Sequence, residues 1–146
     1  SENIILKPSS ISFSGWFKTS STSYNIMIFS MEGAYAMYYN NGQLMPFFDG
    51  SSGGNINMGK GYGDNNWHHF VALNDGTTTK IYVDGSFISS SSEDLYDIDD
   101  NLNSKTAIGG QYDGNLLFTG QIDEVIIFNK ALTKEQVKAL YEMNLS

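Results

Sequence analysis

Two adjacent histidines, His68 and His69, are the only imidazoles in the chain, and cysteine is absent. Imidazole is the side chain best suited to proton transfer near neutral pH and to binding a metal. Neighbours on a strand point to opposite faces, so this pair does not chelate one ion together. Without cysteine there is no disulfide, no thiol nucleophile and no thiolate zinc site. Serine is plentiful enough for a Ser–His–Asp triad, yet no Gly-x-Ser-x-Gly elbow occurs. The expectation is structural: one histidine hydrogen-bonded inside the fold, the other facing solvent.

Carboxylates are the next candidates. The run Leu95-Tyr96-Asp97-Ile98-Asp99-Asp100 spaces two acids three apart, but it lies in an acidic loop and lacks a leading acid. Its continuation to Asn101 opens like an EF-hand and then lacks the glycine and glutamate that such a loop needs. It reads as a solvated, flexible loop. Sugar recognition asks for aromatic faces plus Asp, Asn, Gln or backbone groups for the hydroxyls. Residues 109–115 offer Gln111, Tyr112, Asp113 and Asn115 between glycines, and residues 61–66 offer Tyr62, Asp64 and Asn65. Trp16, Tyr38 and Tyr39 would add a platform if their strand face is the open one. The same residue types also make ordinary turns, and strand aromatics are mostly core.

The elements that must position these groups are strands. Apolar runs are short, β-branched and aromatic, and are punctuated by Gly, Asn, Asp and Ser. The spacing predicts strands over 11–18, 24–31, 34–40, 43–48, 67–74, 78–84, 87–91, 105–108 and 116–128, the last broken near Gly120. Asn41-Gly42, Asp75-Gly76 and Asp84-Gly85 are hairpin turns, because these residues tolerate positive φ. Regular turns of this kind indicate a sandwich or barrel. One helix is predicted over 133–143, with a Thr133/Gln136 capping box and a Val137, Leu140, Tyr141 stripe that packs on the sandwich edge. Gly15 shifts the alternation of the first strand, so it marks a bulge or leaves Trp16 on the outer, concave face. The last strand is apolar on both sides, and the helix is the natural cover for one of them.

The 146 residues make one domain with a real core, at 40% hydrophobic and 14% aromatic composition. The formal net charge is -8, and all eight cationic residues are lysine. Nucleic acid and anionic membrane surfaces are therefore poor partners, and no apolar run is long enough to span a bilayer. Lack of arginine disfavours sialylated or sulfated glycans, which prefer bidentate guanidinium contacts, and points to neutral sugars.

Four segments then stand out in order. They are Ile11-Ser12-Phe13-Ser14-Gly15-Trp16-Phe17-Lys18; Trp67-His68-His69-Phe70-Val71-Ala72; Lys80-Ile81-Tyr82-Val83-Asp84-Gly85; and Gly120-Gln121-Ile122-Asp123-Glu124-Val125-Ile126-Ile127-Phe128 with its run to Leu132. Together they resemble the laminin-G-like, concanavalin A-like lectin/glucanase jelly rolls, over nearly the whole chain. The resemblance implies an all-β, two-sheet antiparallel sandwich with a short C-terminal helix, spanning 1–146 as a single domain. It implies one structural calcium ion on Asp123, helped by backbone carbonyls near Gly33 and from the N-terminal segment. It also implies a family strand that would precede Glu2, so the chain is expected to start one strand late and to associate with itself through the open sheet edge. The family's hydrolases carry a Glu-x-Asp-x-x-Glu strand, which this sequence lacks. The expected function is a non-catalytic module for neutral glycans or glycoproteins, from a secreted, cell-surface or virion protein whose larger chain would hold any targeting signal. The alternatives are a protein–protein interaction module using the sheet edge and, less favoured, a glycoside hydrolase.

Overall fold

The computed structural model describes residues 9–24, 26–31, 35–48, 61–92, 95, 106–111 and 113–143. Among these residues nine strands are present: β1 (Ile11–Lys18), β2 (Ile26–Met31), β3 (Tyr35–Asn40), β4 (Gln43–Phe48), β5 (His68–Asn74), β6 (Thr78–Val83), β7 (Ser86–Ser92), β8 (Thr106–Ile108) and β9 (Gln121–Phe128). One helix, α1 (Lys134–Met143), follows. The strands form two antiparallel sheets in the orders β7-β6-β5-β1-β9 and β4-β3-β2-β8. The sheets pack face to face. Phe13, Phe17, Phe70, Ala72 and Ile81 from the first meet Ile28, Met37, Tyr39, Leu44 and Phe48 from the second. A fully buried phenylalanine contributes about 1.5–3 kcal/mol by leaving water, so this layer is the main source of stability.

The turns form as their residue types require. Asn41 and Gly42 both adopt positive φ, at 46° and 86°, as do Asp84 and Gly85, at 51° and 78°. These are the twisted two-residue turns that join β3 to β4 and β6 to β7. The capping box is also present: Gln136 N–H donates to Thr133 Oγ1 at 3.2 Å, and Thr133 N–H donates to Gln136 Oε1 at 2.9 Å.

Helix α1 lies on the outer face of the five-stranded sheet, not on the sandwich edge that the stripe alone suggested. Val137 and Leu140 cover Val71, Leu73 and Tyr82 there, with Leu132 and Phe128. Ser12 explains how the helix reaches that face. Its buried hydroxyl donates to Lys130 O at 2.7 Å and accepts from Leu132 N–H at 2.9 Å, which fixes the linker over β1. Polar-looking Ser12 and Ser14 are thus buried, and Trp16 beside them stacks under Tyr141 at 5.7 Å.

The bulge lies on β9, opposite Gly15. Pairing of β1 with β5 runs unbroken through Gly15, whereas pairing with β9 shifts between Ser14 and Trp16. Glu124 takes a positive φ of 51° at that shift. An extra residue flips the side-chain parity. Ile122 and Val125 therefore both face the core, which simple alternation would have separated. Phe128 turns to the helix side. Ile126 and Ile127 stay 38% and 39% exposed, so among the described residues the cover of this edge strand is incomplete.

Replacing Ser12 by alanine leaves Lys130 O and Leu132 N–H without their buried partner. The expected cost is about 1–3 kcal/mol in urea unfolding, together with a shift of Trp16 fluorescence as α1 loosens. An unchanged midpoint and spectrum would show that the linker is held by other contacts.

Candidate functional site

One end of the sandwich gathers most of the sequence's candidate residues. There β1 ends, β2, β4, β5 and β9 begin, and the β6–β7 turn closes. Thr19, buried just past β1, is the joint. Its carbonyl accepts Asn65 N–H at 2.8 Å, and its hydroxyl donates to Thr119 O at 2.5 Å. It thereby ties the loop 61–66 and the chain leaving the loop 109–115 to one point. Tyr62 N–H donates to Gly42 O at 3.1 Å, and Met27 N–H donates to Leu116 O at 2.9 Å. The two loops that the composition singled out, far apart in sequence, thus share one end of the molecule.

Aromatic packing sets the floor of this end. Phe118 meets Tyr39 and Phe17 edge-on, with ring centroids 5.9 and 6.5 Å apart. Tyr39 hydroxyl donates to Ser21 O at 2.6 Å. A side chain at Gly63 would strike that hydroxyl, with a Cβ only 2.5 Å away, so glycine is required there. Tyr39 and Trp16 are buried, so they supply no sugar platform, and Tyr38 is half-buried on the opposite side of β3.

Each candidate residue has a definite place. Asp64 Oδ1 accepts from Asn66 N–H and lies 2.9 Å from His68 Nε2. Asn65 adopts a left-handed φ of 62° at the tip of the same loop. Tyr62 is half-buried with its ring edge-on to His68 at 5.3 Å. In the second loop Gln111 N–H donates to Asn115 O at 2.8 Å, and the Asp113 carboxylate accepts from both Asn115 N–H and its side-chain amide. Those bonds hold the exposed Asp113 carboxyl below its ordinary pKa of 3.8. Tyr112 and Gly33 lie outside the described residues, as does the acidic run 96–101.

Two aromatic residues that the sequence reading passed over belong here. Tyr24 is 65% exposed and its hydroxyl accepts from Asn41 Nδ2 at 3.0 Å, while Trp67 is 43% exposed at the mouth of β5. Both were read as strand residues. The polar run 19–23 before Tyr24 is the signal that a loop continues to that point.

The histidines face opposite sides, as alternation requires, but neither faces open solvent. His68 lies between two carboxylates: Nδ1 is 2.8 Å from Asp84 Oδ2 and Nε2 is 2.9 Å from Asp64 Oδ1. Burial alone would lower its pKa, but the bonds to Asp84 and Asp64 outweigh that and hold it above 6.5. His69 is buried on the helix side, 5.0 Å from the Trp16 ring and 6.1 Å from Tyr141. Burial pushes its pKa down to about 4 against the weaker pull of Asp84. Both ring nitrogens of His68 thus lie against carboxylates. Asp64 and Asp113 accept bonds from within their own loops, and Asp84 accepts His69 N–H from β5.

Asp123 sits at the β9 bulge, where its Oδ1 accepts the next residue's N–H at 2.8 Å. Calcium takes six to eight oxygens. Among the described residues no group of three His, Cys, Asp or Glu side chains comes together. The Gly33 carbonyl and the N-terminal segment expected to complete a calcium site with Asp123 lie outside the described residues.

A family model described as the concanavalin A-like lectin/glucanases superfamily matches residues 1–138. The chain belongs to this superfamily. No curated protein sequence matches it. Solved structures share the fold of this superfamily member. A candidate carbohydrate-binding protein from Bacteroides ovatus aligns with a TM-score of 0.73 and 21% identity, over 94% of this chain and 42% of the other. Domain 4 of an extracellular arabinanase from Geobacillus stearothermophilus, solved with arabinotriose, aligns at 0.64 and 21%, over 94% and 68%. A structure of botulinum neurotoxin type C, whose cell entry depends on two ganglioside molecules, aligns at 0.64 and 15%, over 92% and 35%. The chain thus spans less than half the length of the Bacteroides and neurotoxin structures.

The two histidines give the superfamily member a pH signature. His69 has a depressed folded pKa, so the unfolded chain binds the extra proton between pH 4 and 6.5. Its stabilisation is complete above 6.5 and falls away towards about 4, by about 3 kcal/mol. His68 has a raised folded pKa, so its contribution is complete below 6.5 and is lost as pH rises through the folded value. Urea unfolding across pH should therefore peak near 6.5, and His69→Gln should flatten the acid limb. A limb of equal slope in that variant would assign the acid loss to other groups.

Proposed function

We propose that this domain is a non-catalytic carbohydrate-binding module that takes neutral glycans at the loop end of the sandwich. One observation carries the reading: exposed Tyr24, bonded to Asn41 Nδ2, and exposed Trp67 adjoin the loop 61–66, and Thr19 ties that loop to the chain leaving the loop 109–115. Aromatic faces accept the apolar side of a sugar ring, and the amides and carboxylates meet its hydroxyls. Asp64, Asp84 and Asp113 at this end, with no arginine in the chain, disfavour anionic sugars. The arabinanase domain solved with arabinotriose, a neutral sugar, supports the same class of ligand. The partner would be a neutral polysaccharide or a glycoprotein outside the cell, and a larger secreted or surface protein would carry the module. No helix among the described residues is long and apolar enough to cross a membrane.

A second reading draws on the edge strand β9, where exposed Ile126 and Ile127 border unpaired backbone among the described residues. Such an edge is a template for association with another copy. Light scattering that shows a dimer, with no sugar binding, would favour this reading.

The test of the first is a glycan array on the intact chain and on Trp67→Ala and Tyr24→Ala. Binding to neutral glycans is expected, with affinity reduced about tenfold in Trp67→Ala through loss of ring contact. Full binding by both folded variants would remove the loop end as the site.

A further inference from the structure

Loop 61–66 is attached to the scaffold by bonds of two kinds. Tyr62 N–H to Gly42 O and Asn65 N–H to Thr19 O, at 3.1 and 2.8 Å, are backbone bonds indifferent to pH. The contact of Asp64 Oδ1 with His68 Nε2 at 2.9 Å is titratable. His68 also faces Asp84 Oδ2 at 2.8 Å through Nδ1. A neutral imidazole has one N–H and one lone pair. Two carboxylate oxygens at hydrogen-bond distance therefore require the doubly protonated ring, because a lone pair facing a carboxylate is repulsive.

We infer that His68 is a positioning residue for the proposed glycan loop: as an imidazolium it clamps Asp64 and Asp84 together, and loss of its proton releases Asp64 and with it the loop 61–66. The clamp itself stands on geometry, while its consequence for sugar binding rests on the glycan reading above.

The two carboxylates are not equivalent. Asp84 is fixed on several sides. Its Oδ1 accepts His69 N–H at 2.9 Å, its own N–H donates to His69 O at 2.8 Å, and its left-handed φ belongs to the tight turn with Gly85. That turn abuts the Tyr141 ring, which a side chain at Gly85 would strike. Asp64 is the more exposed partner, and besides His68 its carboxylate is held by Asn66 N–H within its own loop. A neutral His68 therefore keeps its remaining proton on Nδ1, towards Asp84, and frees Asp64.

The surroundings of the ring simplify its titration. From the loop, Tyr62 packs edge-on, and burial first and the Asp84 charge second raise its phenol above 10. From β1 comes the uncharged ring of Phe17, at 5.8 Å. His69 points to the far face and is neutral above about 4. Among the described residues, neither Asp64 nor Asp84 forms a salt bridge to lysine. Asp64 and Asp84 are thus the charged groups that set the clamp. Their bonds to His68 also place its proton loss above the ordinary 6.5.

The clamp is tested by amide hydrogen exchange and imidazole nitrogen NMR on the full chain, followed from pH 5.5 to 9 or so. Below the His68 titration, both ring nitrogens should carry protons and the Tyr62 and Asn65 amides should be protected. Through the titration their protection should fall about tenfold beyond the intrinsic rise in exchange, while His69 N–H, held by Asp84, keeps its protection. In Asp64→Asn the His68 titration should move to lower pH and the coupled step should vanish. His68→Gln should lack the step at every pH. Any neutral glycan found on the array should bind more weakly across the same interval in the native chain, and without that dependence in Asp64→Asn. Protection of Tyr62 and Asn65 that follows intrinsic exchange alone, or a singly protonated ring at pH 5.5 or so with the loop intact, overturns the clamp. An array without binding, alongside an intact exchange step, would instead overturn the glycan reading and leave the clamp standing.

Discussion

Phe17 lies on the inner face of β1 with its ring against Tyr39, Phe70, Phe118 and His68. Its neighbour Trp16 lies on the outer face against His69 and Tyr141. Strand β1 must therefore be buried on both faces, and this demand arranges the rest of the molecule. The inner face calls for the second sheet. The outer face calls for α1, which Ser12 anchors through the linker. The end of the strand delivers Thr19, and Thr19 collects the loops. A chain of this size has little stability to spare, so a double-sided central strand is an economical way to connect core, cover and site.

The same geometry explains why one dipeptide yields two chemistries. Alternation along β5 sends His68 to the loop end and His69 under the helix. The carboxylates around His68 raise its pKa, and burial among aromatic rings lowers that of His69. Asp84 serves both: its Oδ2 meets His68 Nδ1, its Oδ1 accepts His69 N–H and its own N–H donates to His69 O. The β6–β7 turn is thereby coupled to the candidate site on one side and to α1 on the other, where Gly85 leaves room for Tyr141.

Much of this was legible in the sequence. The strands, the left-handed turns at Asn41-Gly42 and Asp84-Gly85, and the capping box depend on local chemistry, and local chemistry is written in short segments. Gly15 marked the place on β1, but the irregularity there belongs to the strand opposite it. What alternation could not place was the extra residue on the partner β9, because a bulge is a property of a pair of strands. Trp16 read as a possible open platform because its cover, Tyr141, lies 125 positions away (141 less 16) in a helix whose docking face depends on a serine bond. For the candidate site, residue types in glycine-rich runs singled out Asp64, Asn65, Asp113 and Asn115 as candidates. Their shared location was not legible, since it depends on long-range bonds made by Thr19. Tyr24 and Trp67 were hidden for the opposite reason: they resemble strand residues, and exposure has no local signature.

The loop end therefore unites exposed rings and polar side chains over a base of aromatic core and backbone bonds, the surface on which the proposed glycan site rests. Its carboxylates hold the loops together: Asp64 accepts Asn66 N–H, Asp113 accepts Asn115 N–H and Asp84 accepts His69 N–H. The most direct measurement is a nitrogen–proton NMR titration of the folded chain with a panel of neutral oligosaccharides. Amide shifts should concentrate in 19–24, 41–42, 61–68 and 109–118, with the α1 face silent. Shifts confined to the α1 face or the β9 edge, or no shift with any neutral oligosaccharide, would contradict it.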